Sequence, residues 1–267
     1  MNDEIAPVST VCEKVIPVKE ILKSTAEALL PRKLFEHLRR ERHRRRFGPK
    51  PIRFGDLRRT TPFSRDFGIH RGEPIDRYFI HKFLAKNSDA IRGSVLEIGD
   101  REYTIRFGGG NVTQSDVLHA VAGNSEATLV GDFETGAGVP EGVFDCLIIT
   151  QTIHVIYRFQ DALRTAYRAL KPGGILLATF PSISQVSMYD VERGWGDYWR
   201  FTSFAVKRML SEIFPEDNVQ LETYGNILTA AAFLFGLSSP ELAERELEEV
   251  DPEFVMLVTA RAQKPLH

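Results

Sequence analysis

Three carboxylates stand where three successive predicted strands end. Glu97 closes "VLEIGD", Asp116 follows 19 residues later in "TQSDVL", and Asp132 lies in "LVGDFE" beside Phe133. Ligands of open parallel sheets lie outside the carboxyl ends of the strands, so we expect these acids to converge. Such acids can accept hydrogen bonds from ribose hydroxyls and an exocyclic amine, and a phenyl ring can pack on a flat base. Together they predict a nucleoside pocket, although each acid alone is better explained as a turn or cap residue.

An alternation of strands and helices must position these acids. The predicted strands span 94–99, 111–116, 127–131, 144–150, 174–180, 218–224 and 253–262. "FDCLIIT" and "GILLATF" are almost continuously apolar, as strands buried on both faces must be. Apolar residues at helical spacing predict helices in "PIDRYFIHKFLAK" and in "RFQDALRTAYRAL", the latter ending at Pro172-Gly173-Gly174. The pattern predicts a doubly wound α/β fold with a mostly parallel sheet.

Composition narrows the class of protein. With 267 residues, 43% hydrophobic residues and a net charge of -2, the chain can bury a large core. Cys12 and Cys146 lack metal-ligand spacing, so we expect neither a disulfide nor a metal site. The apolar run Ile227 to Leu237 is too short to span a membrane and predicts a buried helix. No signal-peptide pattern begins the sequence, which leads us to expect a cytoplasmic protein.

The N-terminal segment differs from the rest. Residues 1–50 are predicted to form a helical, basic appendage, and residues 51–267 the α/β domain. Positive charge concentrates between Arg32 and Arg59. An anionic partner there, such as a carbohydrate, lipid head group or phosphate, is one interpretation, and a solvated helix face is the other. Nucleic acid is not expected, because the basic segment is local.

Residues 94–181 resemble a class I S-adenosylmethionine-dependent methyltransferase. The resemblance rests on "VLEIGD", "SDVLHA", "LVGDFE", "VPEGVFDCLIITQTIHVI" and "RALKPGGILLATFPS", in the order and spacing of that family. It implies a seven-stranded Rossmann-like sheet whose last strand is antiparallel, with S-adenosyl-L-methionine lying across the first four strands.

The resemblance also implies roles for particular residues. Glu97, Gly99 and Asp100 would shape the turn near the methionine part of the cofactor, and Asp116 would hold the ribose. Asp132 and Phe133 would hold the adenine, and Gln151, after the fourth strand, would complete the cofactor site.

The turn after Gly99 departs from the family pattern. Asp100, Arg101 and Glu102 replace the further glycines that let the backbone approach the cofactor closely. Two alternatives follow. Either Gly108-Gly109-Gly110 supplies bare backbone through a longer loop, or the pocket is remodelled and the protein is a non-methylating enzyme or a binding or scaffold partner.

Two longer motifs resemble one particular subgroup of this methyltransferase family. "GDLRRTTPFSRDFGIHRGEPIDRYFIHKFL" and "GWGDYWRFT" are similar to a methyltransferase subgroup found beside glycosyltransferases in bacterial polysaccharide or glycosylated natural-product clusters. This likeness implies O-methylation of a sugar hydroxyl in polysaccharide biosynthesis. We predict His154 as the proton acceptor, with Asp197 and Tyr198 as further catalytic residues. Alternatively, His154 is a packed histidine, and "DYWRFT" caps the next helix with Thr202 at the N-cap.

Overall fold

The computed structural model describes residues 31–47, 53–188, 191 and 194–267. The chain divides into two compact units, Met1–Arg59 and Thr60–His267. In the first unit, α1 (Arg32–Phe47) carries the basic run, followed by a short 3-10 turn at Gly55–Arg58. The helices predicted before residue 31 and the predicted boundary at residue 50 lie outside the described ranges. An anionic partner for α1 stays a prediction.

The second unit is built on one seven-stranded sheet in the order β3-β2-β1-β4-β5-β7-β6. The strands are β1 (Gly93–Ile98), β2 (Val112–His119), β3 (Leu129–Val130), β4 (Phe144–Ile149), β5 (Leu170–Pro181), β6 (Val219–Tyr224) and β7 (Leu257–Gln263). The first five pair in parallel, and β7 runs antiparallel to both β5 and β6. This confirms the predicted Rossmann-like sheet with an antiparallel last strand.

Helices cover both faces of the sheet. They are α2 (Ile75–Lys86), α3 (Phe159–Ala169), α4 (Ser203–Ser211), α5 (Ile227–Leu234) and α6 (Glu244–Glu248). Successive residues of a strand point to opposite faces. In β4, Leu147 therefore packs with α3 and α4, whereas Cys146 and Ile148 pack with α2 and α5. Both faces of β4 are buried, which explains its nearly continuous apolar sequence.

Cys146 is fully buried in this core, and its burial raises the pKa of the thiol. The predicted helix after Ile227 is present as α5, although Ile227 and Leu228 at its start are exposed. Among the described residues, no helix has both the length and the apolar character required to cross a membrane.

Several strand boundaries differ from the prediction, most of all at the starts of β5 and β7 and at the end of β2. Helix α3 ends at Ala169 and β5 begins at once with Leu170, so Pro172-Gly173-Gly174 lie inside the strand. The register between β4 and β5 shifts between Phe144 and Cys146, which accommodates the irregular start of β5. Strand β2 continues to His119, three residues beyond the predicted end. The longer β2 therefore places His119, and not Asp116, at the end of the strand.

Candidate functional site

The sheet order reverses between β1 and β4, and a cavity of about 540 Å³ lies beside their carboxyl ends. We call it the crevice cavity. Six of the seven predicted cofactor residues line it, namely Glu97, Gly99, Asp100, Asp132, Phe133 and Gln151. The structure therefore brings these six predicted residues together, and Asp116 is the exception.

Glu97 organises the turn that follows β1. Its carboxylate, only 2% exposed, accepts the backbone N–H groups of Tyr103 at 3.1 Å and Thr104 at 2.8 Å. It also accepts the Thr104 hydroxyl at 2.7 Å. Burial raises the pKa of Glu97 to about 7, although the hydrogen bonds from Thr104 and Tyr103 act to lower it. The turn is thus fixed by a buried side chain in place of a run of glycines.

Gly99 gives this turn its close approach to the cavity. Its φ of 90° lies in the region that favours glycine, and a Cβ placed there would meet no atom within 4 Å. Its backbone is held by Leu118 and by Asn124, which donates to the Gly99 carbonyl at 2.6 Å. Gly99 is therefore a bare backbone position that lines the crevice cavity, as Gly131 also does.

The three glycines at 108–110 do not line the crevice cavity. A Cβ at Gly108 would lie 2.5 Å from Val112 and 2.8 Å from Ile91, so this glycine permits close packing before β2. They precede the amino end of β2, which in a parallel sheet lies at the edge opposite the crevice. The alternative in which they supply bare backbone for the cofactor is wrong.

Asp116 also lies away from the crevice cavity, in the middle of β2. It pairs in register with Leu96, and its carboxylate accepts hydrogen bonds from Thr128 at 2.8 Å and Gln114 at 2.6 Å. The predicted strand end at Asp116 is wrong, because β2 continues to His119, which does line the cavity. The buried apolar pair Val117-Leu118 after Asp116 was the sequence signal for the longer strand.

His119 is the functional candidate that sequence reasoning missed. Its Nδ1 lies 2.8 Å from the carbonyl oxygen of Val121. Its ring stands edge-on to Trp195, with centroids 5.9 Å apart and an interplanar angle of 89°. Trp195 also lines the crevice cavity. The imidazole therefore stands at the place that Asp116 was expected to take.

Asp132 and Phe133 directly follow β3. The Asp132 carboxylate accepts the Glu134 backbone N–H at 2.8 Å and the Thr135 hydroxyl at 2.9 Å, which fixes a tight turn. Phe133 is buried and contributes to the cavity wall. A carboxylate and a phenyl ring thus stand side by side at the β3 end of the cavity, as the sequence predicts.

A second cavity, of about 470 Å³, adjoins the first. Four residues line both cavities and form what we call the partition, namely Ile69, Pro74, Arg77 and Gln151. Both His154 and Asp197 line the second cavity, so these predicted catalytic residues share one site.

Tyr198 lines neither cavity: its side chain is 50% exposed and packs edge-on against Tyr157. The structure therefore does not bring Tyr198 into either cavity, and its predicted catalytic role stays a prediction.

Gln151 in the partition has an unusual backbone conformation. Its φ is 45°, which is rare for a residue with a side chain. The backbone N–H donates to the Thr179 hydroxyl at 3.0 Å, and Nε2 donates to Oδ2 of Asp76 at 3.0 Å. Its Oε1 is buried without a hydrogen-bond partner among the described residues. Strained backbone and unsatisfied polar atoms of this kind concentrate at functional sites.

The remaining polar wall of the second cavity comes from the segment after β5. The side chain of Asp197 is fully buried; its carboxylate binds Arg200 through both oxygens and accepts the Ser187 backbone N–H at 2.7 Å. Burial would raise the pKa of Asp197, but the bonds from Arg200 and Ser187 outweigh it and lower that pKa. The backbone N–H groups of Tyr198 and Trp199 donate to the carbonyl oxygen of His154. These two hydrogen bonds join the segment around His154 to the segment around Asp197.

Thr202 caps α4, accepting the Ala205 backbone N–H at 3.2 Å. The alternative interpretation of "DYWRFT" as a helix cap is therefore correct for Thr202, while Asp197 and Arg200 of the same motif line the second cavity. Among the described residues, no group of three or more His, Cys, Asp or Glu side chains could hold a metal ion.

The chain is similar to one protein-family model and to a number of solved structures. A family model for a methyltransferase domain matches residues 101–178. The chain is similar to a SAM-dependent methyltransferase from Archaeoglobus fulgidus, at 14% identity over 70% of this chain and 94% of that one, with a TM-score of 0.46. It is similar to another from Mesorhizobium loti, at 12% identity over 71% and 100%, with a TM-score of 0.49. It is also similar to the N-methyltransferase NodS from Bradyrhizobium japonicum in complex with S-adenosyl-L-homocysteine, at 13% identity over 79% and 95%, with a TM-score of 0.44. No curated protein matches the chain.

Proposed function

We propose that this chain is an S-adenosylmethionine-dependent methyltransferase that methylates a sugar hydroxyl of a glycan or glycosylated metabolite. The observation that carries the proposal is the pair of adjoining cavities at the carboxyl ends of the strands. Of the 23 described residues that line the crevice cavity, 13 lie within residues 101–178, which match a methyltransferase domain. A donor in the first cavity and an acceptor in the second would meet at the partition.

The lining of the crevice cavity suits the donor. Asp132 and Phe133 fit the adenine, and His119 takes the ribose position in our proposal in place of Asp116. Glu97, Gly99 and Asp100 stand nearest β1, where the methionine part would lie. S-adenosyl-L-methionine supplies a methyl group bonded to a positively charged sulfur, and acidic side chains around it favour that charge.

The second cavity suits a hydroxylated acceptor. Phe67 and Phe233 line it with ring centroids 5.8 Å apart, and Asp76, Ser184 and Gln185 add hydrogen-bonding groups. Sugars require this mixture of apolar faces and polar groups, because their rings have both. Methyl transfer needs the acceptor oxygen held in line with the methyl group, which a shaped wall can provide.

The two motifs that carry the subgroup likeness meet in this second cavity. Residues 55–84 contribute Asp66, Phe67 and the start of α2, and residues 194–202 contribute Asp197 and Arg200. Both motifs lie outside the matched residues 101–178. Their convergence on the acceptor side supports the proposal that they distinguish the acceptor.

His154 is our proposed proton acceptor for the sugar hydroxyl. Its side chain is 7% exposed and lines the second cavity beside Asp197. A positioned imidazole can accept the proton as the oxygen bonds to carbon. Asp197 is a positioning residue in this scheme, because its carboxylate is committed to Arg200 and Ser187.

Calorimetric titration with S-adenosylhomocysteine tests the donor site, and assays with radiolabelled S-adenosylmethionine test methyl transfer. A panel of methyl glycosides and nucleotide sugars should show at least one labelled methyl ether. Binding without transfer to any sugar would favour the alternative of a non-methylating enzyme on this fold. No binding at all would favour a binding or scaffold role, with the turn around Glu97 as the remodelled element.

A further inference from the structure

We propose that Arg77, in the partition, binds the carboxylate of the donor's amino-acid end. The inference rests on the proposed function and assigns a binding residue from α2, which precedes the matched residues 101–178.

The charge of the crevice cavity singles out Arg77. Among the described residues that line this cavity, Arg77 is the only arginine or lysine, whereas five are acids: Glu73, Glu97, Asp100, Glu102 and Asp132. The donor carries two positive groups, its sulfonium and its ammonium, and one negative group, its carboxylate. An acidic wall suits the first two, and the carboxylate requires a cation or free N–H groups.

Several backbone N–H groups in the turn after β1 already have acceptors within the protein. A glycine-rich turn could direct such groups at an anion, as helix N-termini do. Here Glu97 already accepts the N–H groups of Tyr103 and Thr104, and Asp100 accepts that of Glu102 at 2.9 Å. These three donors are therefore unavailable to a ligand carboxylate. The guanidinium of Arg77 on α2 can supply donors for the carboxylate in place of these three groups.

Arg77 is held in place with donors to spare. Its NH1 donates to the Tyr103 hydroxyl at 3.2 Å, which leaves further N–H groups of the fork for a carboxylate. Burial acts to lower the pKa of Arg77, but Asp76, Tyr103 and Asp100 outweigh it and raise that pKa. Tyr103 is in turn held by Glu97, so the cation is anchored to the same turn.

The position of Arg77 agrees with the direction in which the donor would lie. Asp132 and Phe133 place the adenine at the β3 end of the sheet order β3-β2-β1-β4. The amino-acid end then extends toward β1 and β4. The partition residue Gln151 directly follows β4, and Arg77 faces the same two cavities.

The test compares two ligands by isothermal titration calorimetry. S-adenosylhomocysteine has the amino-acid end, and 5′-methylthioadenosine shares the adenosyl thioether but lacks that end. In R77M we expect the affinity for S-adenosylhomocysteine to fall roughly 10- to 100-fold. Affinity for 5′-methylthioadenosine should change by less than about 3-fold. R77K should be intermediate, because lysine keeps the charge and loses the planar fork.

R164M is the matched control, because Arg164 pairs with Asp161 on the exposed side of α3 and lines neither cavity. It should bind both ligands as the unmodified protein does. Equal losses for the two ligands in R77M, or no loss for either, would overturn the assignment of Arg77. Failure of the unmodified protein to bind S-adenosylhomocysteine would overturn the proposed function, and this inference with it. Retained binding of 5′-methylthioadenosine shows that R77M is folded.

Discussion

Nε2 of Gln151 donates a hydrogen bond of 3.0 Å to Oδ2 of Asp76, at the boundary between the two cavities. The same carboxylate accepts the backbone N–H of Arg77 at 2.9 Å. Asp76 is 7% exposed and stands at the start of α2. One buried carboxylate thus ties a helix start to the strained residue after β4.

Removal of this carboxylate should destabilise the protein. Asp76→Ala leaves the Gln151 amide and the Arg77 N–H without their acceptor, so we expect the free energy of unfolding to fall by about 1–3 kcal/mol. Asp76→Asn keeps an oxygen acceptor and should lose less. Urea denaturation followed by circular dichroism measures both variants. Equal stability of the alanine variant and the unmodified protein would contradict this role.

Glu97 should make stability depend on pH. Its pKa is raised from 4.5 to about 7 in the folded protein, so the folded state binds the proton more tightly than the unfolded state does. The resulting stabilisation is fully present below pH 4.5 and is lost as pH rises through about 7. Relative to Glu97→Gln, we expect the unmodified protein to lose roughly 2–4 kcal/mol between these limits. Urea unfolding of both proteins at pH 4.5, 6 and 8 provides the comparison, and parallel pH profiles would argue against it.

The correction at β2 can be checked by a pair of matched substitutions. Asp132→Asn alters a carboxylate in the crevice cavity and should weaken binding of S-adenosylhomocysteine roughly 10-fold. Asp116→Asn makes the same chemical change in the middle of β2, outside the cavity, and should leave that affinity unaltered. Calorimetric titration measures both. A larger effect from Asp116 would restore the original prediction for the ribose.

The proton-transfer role can be separated from donor binding. His154→Gln should slow methyl transfer to the accepted sugar about 100-fold, because a positioned base contributes that order of rate. The affinity of this variant for S-adenosylhomocysteine should be unchanged, because His154 lines the second cavity and not the crevice cavity. Tyr198→Phe serves as the control and should keep the full rate. Normal turnover in the histidine variant would remove His154 from the mechanism.

The sequence predicted the sheet well because buried parallel strands have a distinctive apolar pattern. The apolar run at β4 is flanked by turns and followed by an amphipathic helix, and this context predicts a buried strand. Strand ends are harder to predict, and the error at β2 placed Asp116 at the rim in place of His119. The apolar pair Val117-Leu118 was the available signal for a longer strand, and in the structure it extends the ladder beside Glu97 and Ile98.

The roles of the side chains were harder to predict from the sequence than their positions in the fold. Glu97 was expected to shape the turn, but its use as the acceptor for Tyr103 and Thr104 depends on the helical turn that follows. The sequence places Asp76 and Arg77 at the start of a predicted helix but does not give their contacts. Their significance comes from the packing of α2 against residues after β4, which no local pattern records.

Three of the four partition residues, Ile69, Pro74 and Arg77, come from chain that precedes the first strand. A fragment that began at β1 would thus lack three of the four residues that line both cavities. Under the proposed function, a transfer of acceptor preference to another protein would require the segment before β1 together with the loop after β5, because both line the second cavity.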